Sequence, residues 1–257
     1  MRHASALALA GCLALFNVGA GAQEPAGDKR ELTPEEVKAN IGRMGDSIVV
    51  DPSKYEFSAA ERALWMSDHL SNIKAPVRLR YDFSSNGVGD PGWKDVVTLD
   101  VVAVNKDGTK DTRLEFFTGD RKQFVPNENQ RNVIGNPVLG TYMQGDVNGM
   151  QHWTGGNWRY FLSRVKTALA QKAQVAPTKF DFGGRQVEGE TIVVTPYVDD
   201  QNKAQLKDMI HKRYEFTFSP QVPGSLYRIH TVVPNPAPGQ PPLIEEVLIF
   251  RGADKRG

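Results

Sequence analysis

The chain has a single cysteine, Cys12, no excess of either charge and, beyond its first 22 residues, no long apolar run. Each shortage excludes something. A lone thiol closes no intramolecular disulfide and completes no cysteine-rich zinc site. With 31 Lys+Arg against 30 Asp+Glu and a pI near 7.8, the chain lacks the cationic surplus that displaces counterions, so no nucleic-acid partner is expected. A charged fraction of 24% beside 40% hydrophobic residues fits neither a disordered polyampholyte nor a membrane bundle.

Catalytic and metal motifs are equally scarce. No G-x-S-x-G elbow occurs, and His69, His152, His211 and His230 are scattered without an H-x-x-x-H pair. Gly87-Val88-Gly89-Asp90-Pro91-Gly92 matches G-x-G-x-x-G as a string. The dinucleotide mechanism needs a strand before it and a helix N-terminus after it, whereas Pro91 removes a backbone donor and Trp93 leads into a strand. Asp181-Phe182-Gly183 is a kinase triplet without a kinase around it, and reads as a strand end. Asn105, Asp107, Thr109 and Asp111 place oxygens at alternate positions around Gly108. That suits a small calcium loop, although a hairpin turn uses the same residues without metal. Adjacent carboxylates on a strand point to opposite faces, so Glu245 and Glu246 cannot act as one dyad. No metal, cofactor or catalytic residue is expected, and the chain reads as non-enzymatic, with an unrecognised hydrolase as a minor alternative.

What is present begins with an address. Met1-Arg2-His3 is a short positive start, residues 6–16 are apolar, and Ala20-Gly21-Ala22 offers the small-x-small site a signal peptidase accepts. Cleavage near Ala22 would leave a periplasmic protein without a thiol and, with Arg2 gone, equal numbers of acidic and basic residues. Leu9-Ala10-Gly11-Cys12 is an alternative lipobox that would anchor the chain through a lipidated Cys12. A membrane anchor is the third reading of the uncharged stretch 4–22, but its Ala/Gly content is weakly apolar, and no transmembrane helix is expected in the mature form.

Residues 23–257 read as one domain. Thr33-Pro34-Glu35-Glu36 caps a short helix over about 34–44. Ser58-Ala59-Ala60-Glu61 repeats the capping pattern, and Ala63, Met66, Leu70 and Ile73 form one helical stripe that stops before Pro76. The period then changes to two: Val77, Leu79, Tyr81 and Phe83 alternate with Arg78, Arg80, Asp82 and Ser84. Residues 96–104 and 112–116 form the next strands, joined by the Asn105-Lys106-Asp107-Gly108 turn.

A helical insertion spans about 136–172. Asn136-Pro137 starts one helix, which Gly140, Gly145 and Gly149 should leave marginal or irregular at roughly 1 kcal/mol each. Thr154-Gly155-Gly156-Asn157 breaks it and caps a second, amphipathic one. Strands resume at 179–182, 190–197, 213–219, 225–233 and 243–250, with a helical turn over about 203–210. Helices, a meander, a helical insertion and a second meander, without βαβ alternation, define an antiparallel α+β fold.

That order resembles the superfamily of periplasmic lipoprotein carriers, the LolA-like and LolB-like proteins. The most similar stretch is Gly189-Glu190-Thr191-Ile192-Val193-Val194-Thr195-Pro196, a strand running into a Thr-Pro turn. Tyr214-Glu215-Phe216-Thr217-Phe218, residues 226–232 and Glu246-Val247-Leu248-Ile249-Phe250 follow like the closing meander. The chain is longer than those proteins and has its own Trp/Gly-rich insert. The resemblance implies a strongly curved, half-barrel-like antiparallel sheet whose concavity binds a lipid or lipoprotein acyl chain.

Candidate ligand residues cluster in one segment. Four of the nine residues 153–161 are aromatic (Trp153, Trp158, Tyr160 and Phe161), against 9% for the chain, and they flank Gly155 and Gly156. Rings beside a glycine hinge suit a lid over an apolar cavity, and equally a helix corner packed on the sheet. Arg78 and Arg80, with Arg213, Arg228 and His230, share a polar sheet face able to hold an anionic headgroup, or to pair with Asp82, Glu115 and Glu215 across strands. The expected function is therefore an exported envelope protein binding an apolar or amphipathic ligand. A non-catalytic accessory subunit with an envelope partner is the alternative.

Overall fold

The computed structural model describes residues 56–255. The leader, Cys12 and the expected helix over 34–44 lie outside the described residues.

The first helix, α1, is shorter than its stripe suggests. Both halves of the capping box form: Ser58 Oγ accepts from Glu61 N at 3.1 Å, and Glu61 Oε2 accepts from Ser58 N at 2.8 Å. Yet α1 covers only Ala59–Glu61 before widening into a π-helical turn, Arg62–Met66, and Ser67 is extended. Side-chain donors take the carbonyls of that turn: Ser67 Oγ binds Arg62 O at 3.0 Å, and His69 Nε2 lies 2.7 Å from Ala63 O. The chain then turns, so Ala63, Leu70 and Ile73 are buried while Met66 is 50% exposed.

The period-two segments build one nine-stranded sheet. Its strands are β1 (Val77–Gly87), β2 (Asp90–Val104), β3 (Lys110–Phe116), β4 (Asn129–Val133), β5 (Gln174–Phe182), β6 (Arg185–Val194), β7 (Arg213–Phe218), β8 (Leu226–Val233) and β9 (Ile244–Lys255). Every pairing is antiparallel, in the order β4-β3-β2-β1-β9-β8-β7-β6-β5. The last strand thus joins the two meanders by pairing with β1 over its whole length. Gly87 faces Asp90 across the tip of the β1–β2 hairpin, so the G-x-G-x-x-G string is a strand turn with no helix after it.

The sheet is strongly curved and open. Phe180 of β5 stacks on Tyr227 of β8 at 4.0 Å, and Phe182 lies 5.8 Å from Phe250 of β9. In a flat sheet those strands would be about 14 and about 19 Å apart. Gly189 permits part of this curl: a Cβ there would stand 2.2 Å from Phe218 O and 3.0 Å from the Phe180 ring. The edges β4 and β5 do not meet, which leaves a half-barrel and not a closed one.

Helices α2 (Pro137–Thr154) and α3 (Trp158–Gln171) cover the inner face. Contrary to the glycine argument, α2 is one continuous helix of 18 residues. Its buried residues Val138, Leu139, Tyr142, Met143, Asp146, Val147 and Met150 form a single stripe against the sheet. Burial of each large apolar side chain contributes about 1.5–3 kcal/mol, which outweighs three glycine penalties. In α3, Phe161, Val165, Ala168 and Leu169 complete the layer. They meet Leu79 and Tyr81 of β1, Val97 and Leu99 of β2, and Tyr214 and Phe216 of β7 in one core. The expected turn near 203–210 is α4 (Lys203–Leu206), running into a 3-10 turn, Lys207–His211.

Candidate functional site

At one margin of the curved sheet the chain leaves an open groove of about 660 Å³. One wall is the turn after α1, with Ala63, Ser67, Asp68, His69 and Ser71. The opposite wall is residues 175–177 of β5 and 188–190 of β6, and the end is closed by Phe218 and the turn after β7. Its lining is mixed, with Ala63, Val175, Pro177 and Phe218 beside several serines and the carboxylates of Asp68, Glu188 and Glu190.

His69 holds the groove together. Its ring stacks on Phe218 at 5.2 Å, Nδ1 accepts from Asn136 N at 3.3 Å, and Nε2 donates to Ala63 O at 2.7 Å. Burial lowers its pKa, so the ring is neutral, with its proton on Nε2. Asn136 is equally occupied: Oδ1 caps α2 through Val138 N at 3.1 Å, and Nδ2 donates to Tyr81 Oη at 2.9 Å and Gly224 O at 3.0 Å. Both ring nitrogens of His69 are therefore taken up by backbone groups.

A second polar constellation lies sealed between α2 and the sheet. Lys212, wholly buried, forms an ion pair with Asp146 of α2, whose other oxygen accepts from Tyr214 Oη at 2.6 Å. Tyr197 Oη extends the chain to Tyr214 Oη at 3.2 Å, and the Trp153 ring covers Lys212 Nζ at 5.3 Å. Beside it Tyr142 Oη donates to Glu246 at 3.1 Å. Burial raises the Glu246 pKa, against the opposing pull of Lys212. Lys212, Tyr214 and Tyr197 are shut off from solvent, so the network is a polar core.

Sequence reasoning passed over this network. Asp146 sits four residues from both Tyr142 and Met150, inside the apolar stripe, and Glu246 alternates with Leu248 and Phe250 on the inner face. Both acids were therefore readable as buried, but their partner Lys212 was not.

The four aromatic candidates gather at the other end of the helix pair, and none lines the groove. Phe161 is 2% exposed and stands edge-on to Tyr197 at 5.9 Å. Tyr160 donates to the buried carboxylate of Asp200 at 2.6 Å, which also pairs with Arg164 at 3.0 Å. Trp158 carries the Arg159 guanidinium over its ring at 4.5 Å, and Trp153 is 45% exposed. Gly155 is the left-handed C-cap of α2 at φ +69°, and a Cβ on Gly156 would lie 2.6 Å from the Phe161 ring.

The charged candidates lie on the outer face in pairs. Arg78 grips Asp100 through two bonds of 2.6 and 2.8 Å, and Arg80 meets Asp254 at 2.6 Å. Arg213 and Arg228 share Glu215, while His230 pairs with Glu245 at 2.8 Å. Of the partners expected from sequence, Glu215 is one; Asp100 and Asp254 are brought by register. In the β2–β3 turn the Asn105 amide donates to Thr109 Oγ1 and Asp111, each at 3.0 Å. No helix among the described residues is long and apolar enough to cross a membrane.

No protein-family model matches the chain, and no curated protein matches it. Among solved structures it is similar to the LolA superfamily protein NE2245 from Nitrosomonas europaea. The identity is 8%, over 77% of this chain and 94% of that one, with a TM-score of 0.22. The resemblance is distant.

Proposed function

We propose that this is an exported, non-catalytic envelope protein that holds an amphipathic, lipid-like ligand. We place the ligand in the groove at the margin of the sheet and not in its concavity, against which α2 and α3 pack. One observation carries the reading: an open groove of about 660 Å³ with Ala63, Val175, Pro177 and Phe218 in its lining, beside the packed core. Ligand sites of drug-sized molecules occupy about 300–1,000 Å³. The leader pattern of residues 1–22 supports export.

The test is binding of the neutral probe N-phenyl-1-naphthylamine, followed by its fluorescence. Ala176 is an exposed groove residue on β5, so Ala176→Trp fills the groove without entering the core. Weakening of about tenfold or more with an unchanged circular dichroism spectrum is expected; equal affinity would remove the groove from consideration. Mass spectrometry of envelope-purified protein reports the rest: a terminus at Gln23 supports cleavage, and a diacylated Cys12 supports anchoring. The accessory-subunit reading has exposed Trp153 in its favour. It takes over if neither probe nor extracted lipid binds.

A further inference from the structure

We infer that the groove selects an amphiphile with a cationic head, the opposite sign to the anionic headgroup suggested by Arg78 and Arg80. The inference rests on the groove being the ligand site. Its walls carry three carboxylates, Asp68, Glu188 and Glu190, and no lysine or arginine among the described residues. Glu188 is paired with Lys179 at 3.1 Å, both on the exposed surface. Asp68 and Glu190 have no side-chain partner among the described residues.

Glu190 is the telling residue. Its cross-strand neighbours are Pro177 on β5 and Phe218 on β7, so a half-buried carboxylate stands unpaired between apolar side chains. A half-buried carboxylate is less screened than one on the open surface, so a ligand of the opposite charge gains more beside it. No wall residue competes for the carboxylates: His69 is neutral and has both ring nitrogens engaged. The arginines named from sequence are held by Asp100 and Asp254 on the outer face. An alkyl tail along Ala63, Val175 and Phe218, with an ammonium head in the field of the wall carboxylates Asp68 and Glu190, satisfies both halves of the site. An anionic head would meet two unneutralised carboxylates.

The experiment compares three probes of equal chain length below their micelle concentrations: dodecyltrimethylammonium, dodecyl maltoside and dodecyl sulfate. Binding to the full mature chain is read by calorimetry at low and high salt, with circular dichroism confirming the fold. The cation is expected to bind about tenfold more tightly than the sulfate, less so at high salt. Asp68→Asn and Glu190→Gln should each weaken it about three- to fivefold, as loss of a solvent-accessible ion pair does. Sulfate binding as tight as the cation, or Glu190→Gln without effect, overturns the inference while leaving the groove a ligand site. Binding of none of the three overturns both.

Discussion

Replacing Asp146 tests the sealed network most directly. Asp146 neutralises Lys212 and accepts from Tyr214 in a region closed to solvent. Asp146→Leu leaves a buried ammonium without its partner, and breaking a buried pair from one side costs about 3–5 kcal/mol. The structure sets an asymmetry. Glu246 also attracts Lys212 and repels Asp146, so Lys212 without Asp146 retains some compensation. Lys212→Met instead leaves two carboxylates together and should cost more than Asp146→Leu. Because each kcal/mol moves the midpoint of a domain this large by about 2–4 °C, Tm should fall by about 10 °C. The double variant removes both charges and should recover most of the loss, since an apolar pair of similar volume is often as stable as a buried ion pair. Urea unfolding of the four proteins gives the coupling energy. A cost below about 1 kcal/mol for either single variant, or a double variant that merely sums the singles, would refute the argument.

Two further outcomes follow from the frame of the groove. Gly189→Ala should destabilise by about 1–3 kcal/mol and lower probe affinity, because its Cβ would meet Phe218 O at 2.2 Å and force β6 away from β7; wild-type melting would show that the curl does not need this glycine. His69 has a folded pKa depressed by burial from an ordinary 6.5, so its contribution is present above 6.5 and lost as pH falls through the folded value. The stability gap between wild type and His69→Gln should therefore narrow on acidification, and parallel pH profiles would contradict a buried neutral His69.

Much of this was legible locally. Capping residues Ser58, Asn136 and Asn157 start helices where expected, and the alternation from Val77 to Phe83 puts Leu79, Tyr81 and Phe83 in the core. These are short-range rules, satisfied by neighbours within a few residues. Expectation and structure part where distant contacts decide. The glycines of α2 are outweighed by a stripe packed on the sheet, and the helix expected after Ser58 is cut short by His69, which packs on Phe218 from the other half of the chain. The aromatic segment is marked by composition, and packing sets which rings are covered, burying Phe161 and leaving Trp153 exposed. The groove gave no such signal, because its walls come from residues 63–71, 175–190 and 218–225.

Local patterns in the chain suffice for the antiparallel α+β class, the positions of most strands and both long helices, and the opposite faces of Glu245 and Glu246. Periodicity and capping act over a few residues and leave their mark in the chain. Long-range packing is what pairs β9 with β1, brings Phe180 to Tyr227 across the curl, joins Lys212 to Asp146, and sets Glu190 between Pro177 and Phe218. Those outcomes depend on which distant surfaces bury each other best, a property of the whole packed chain.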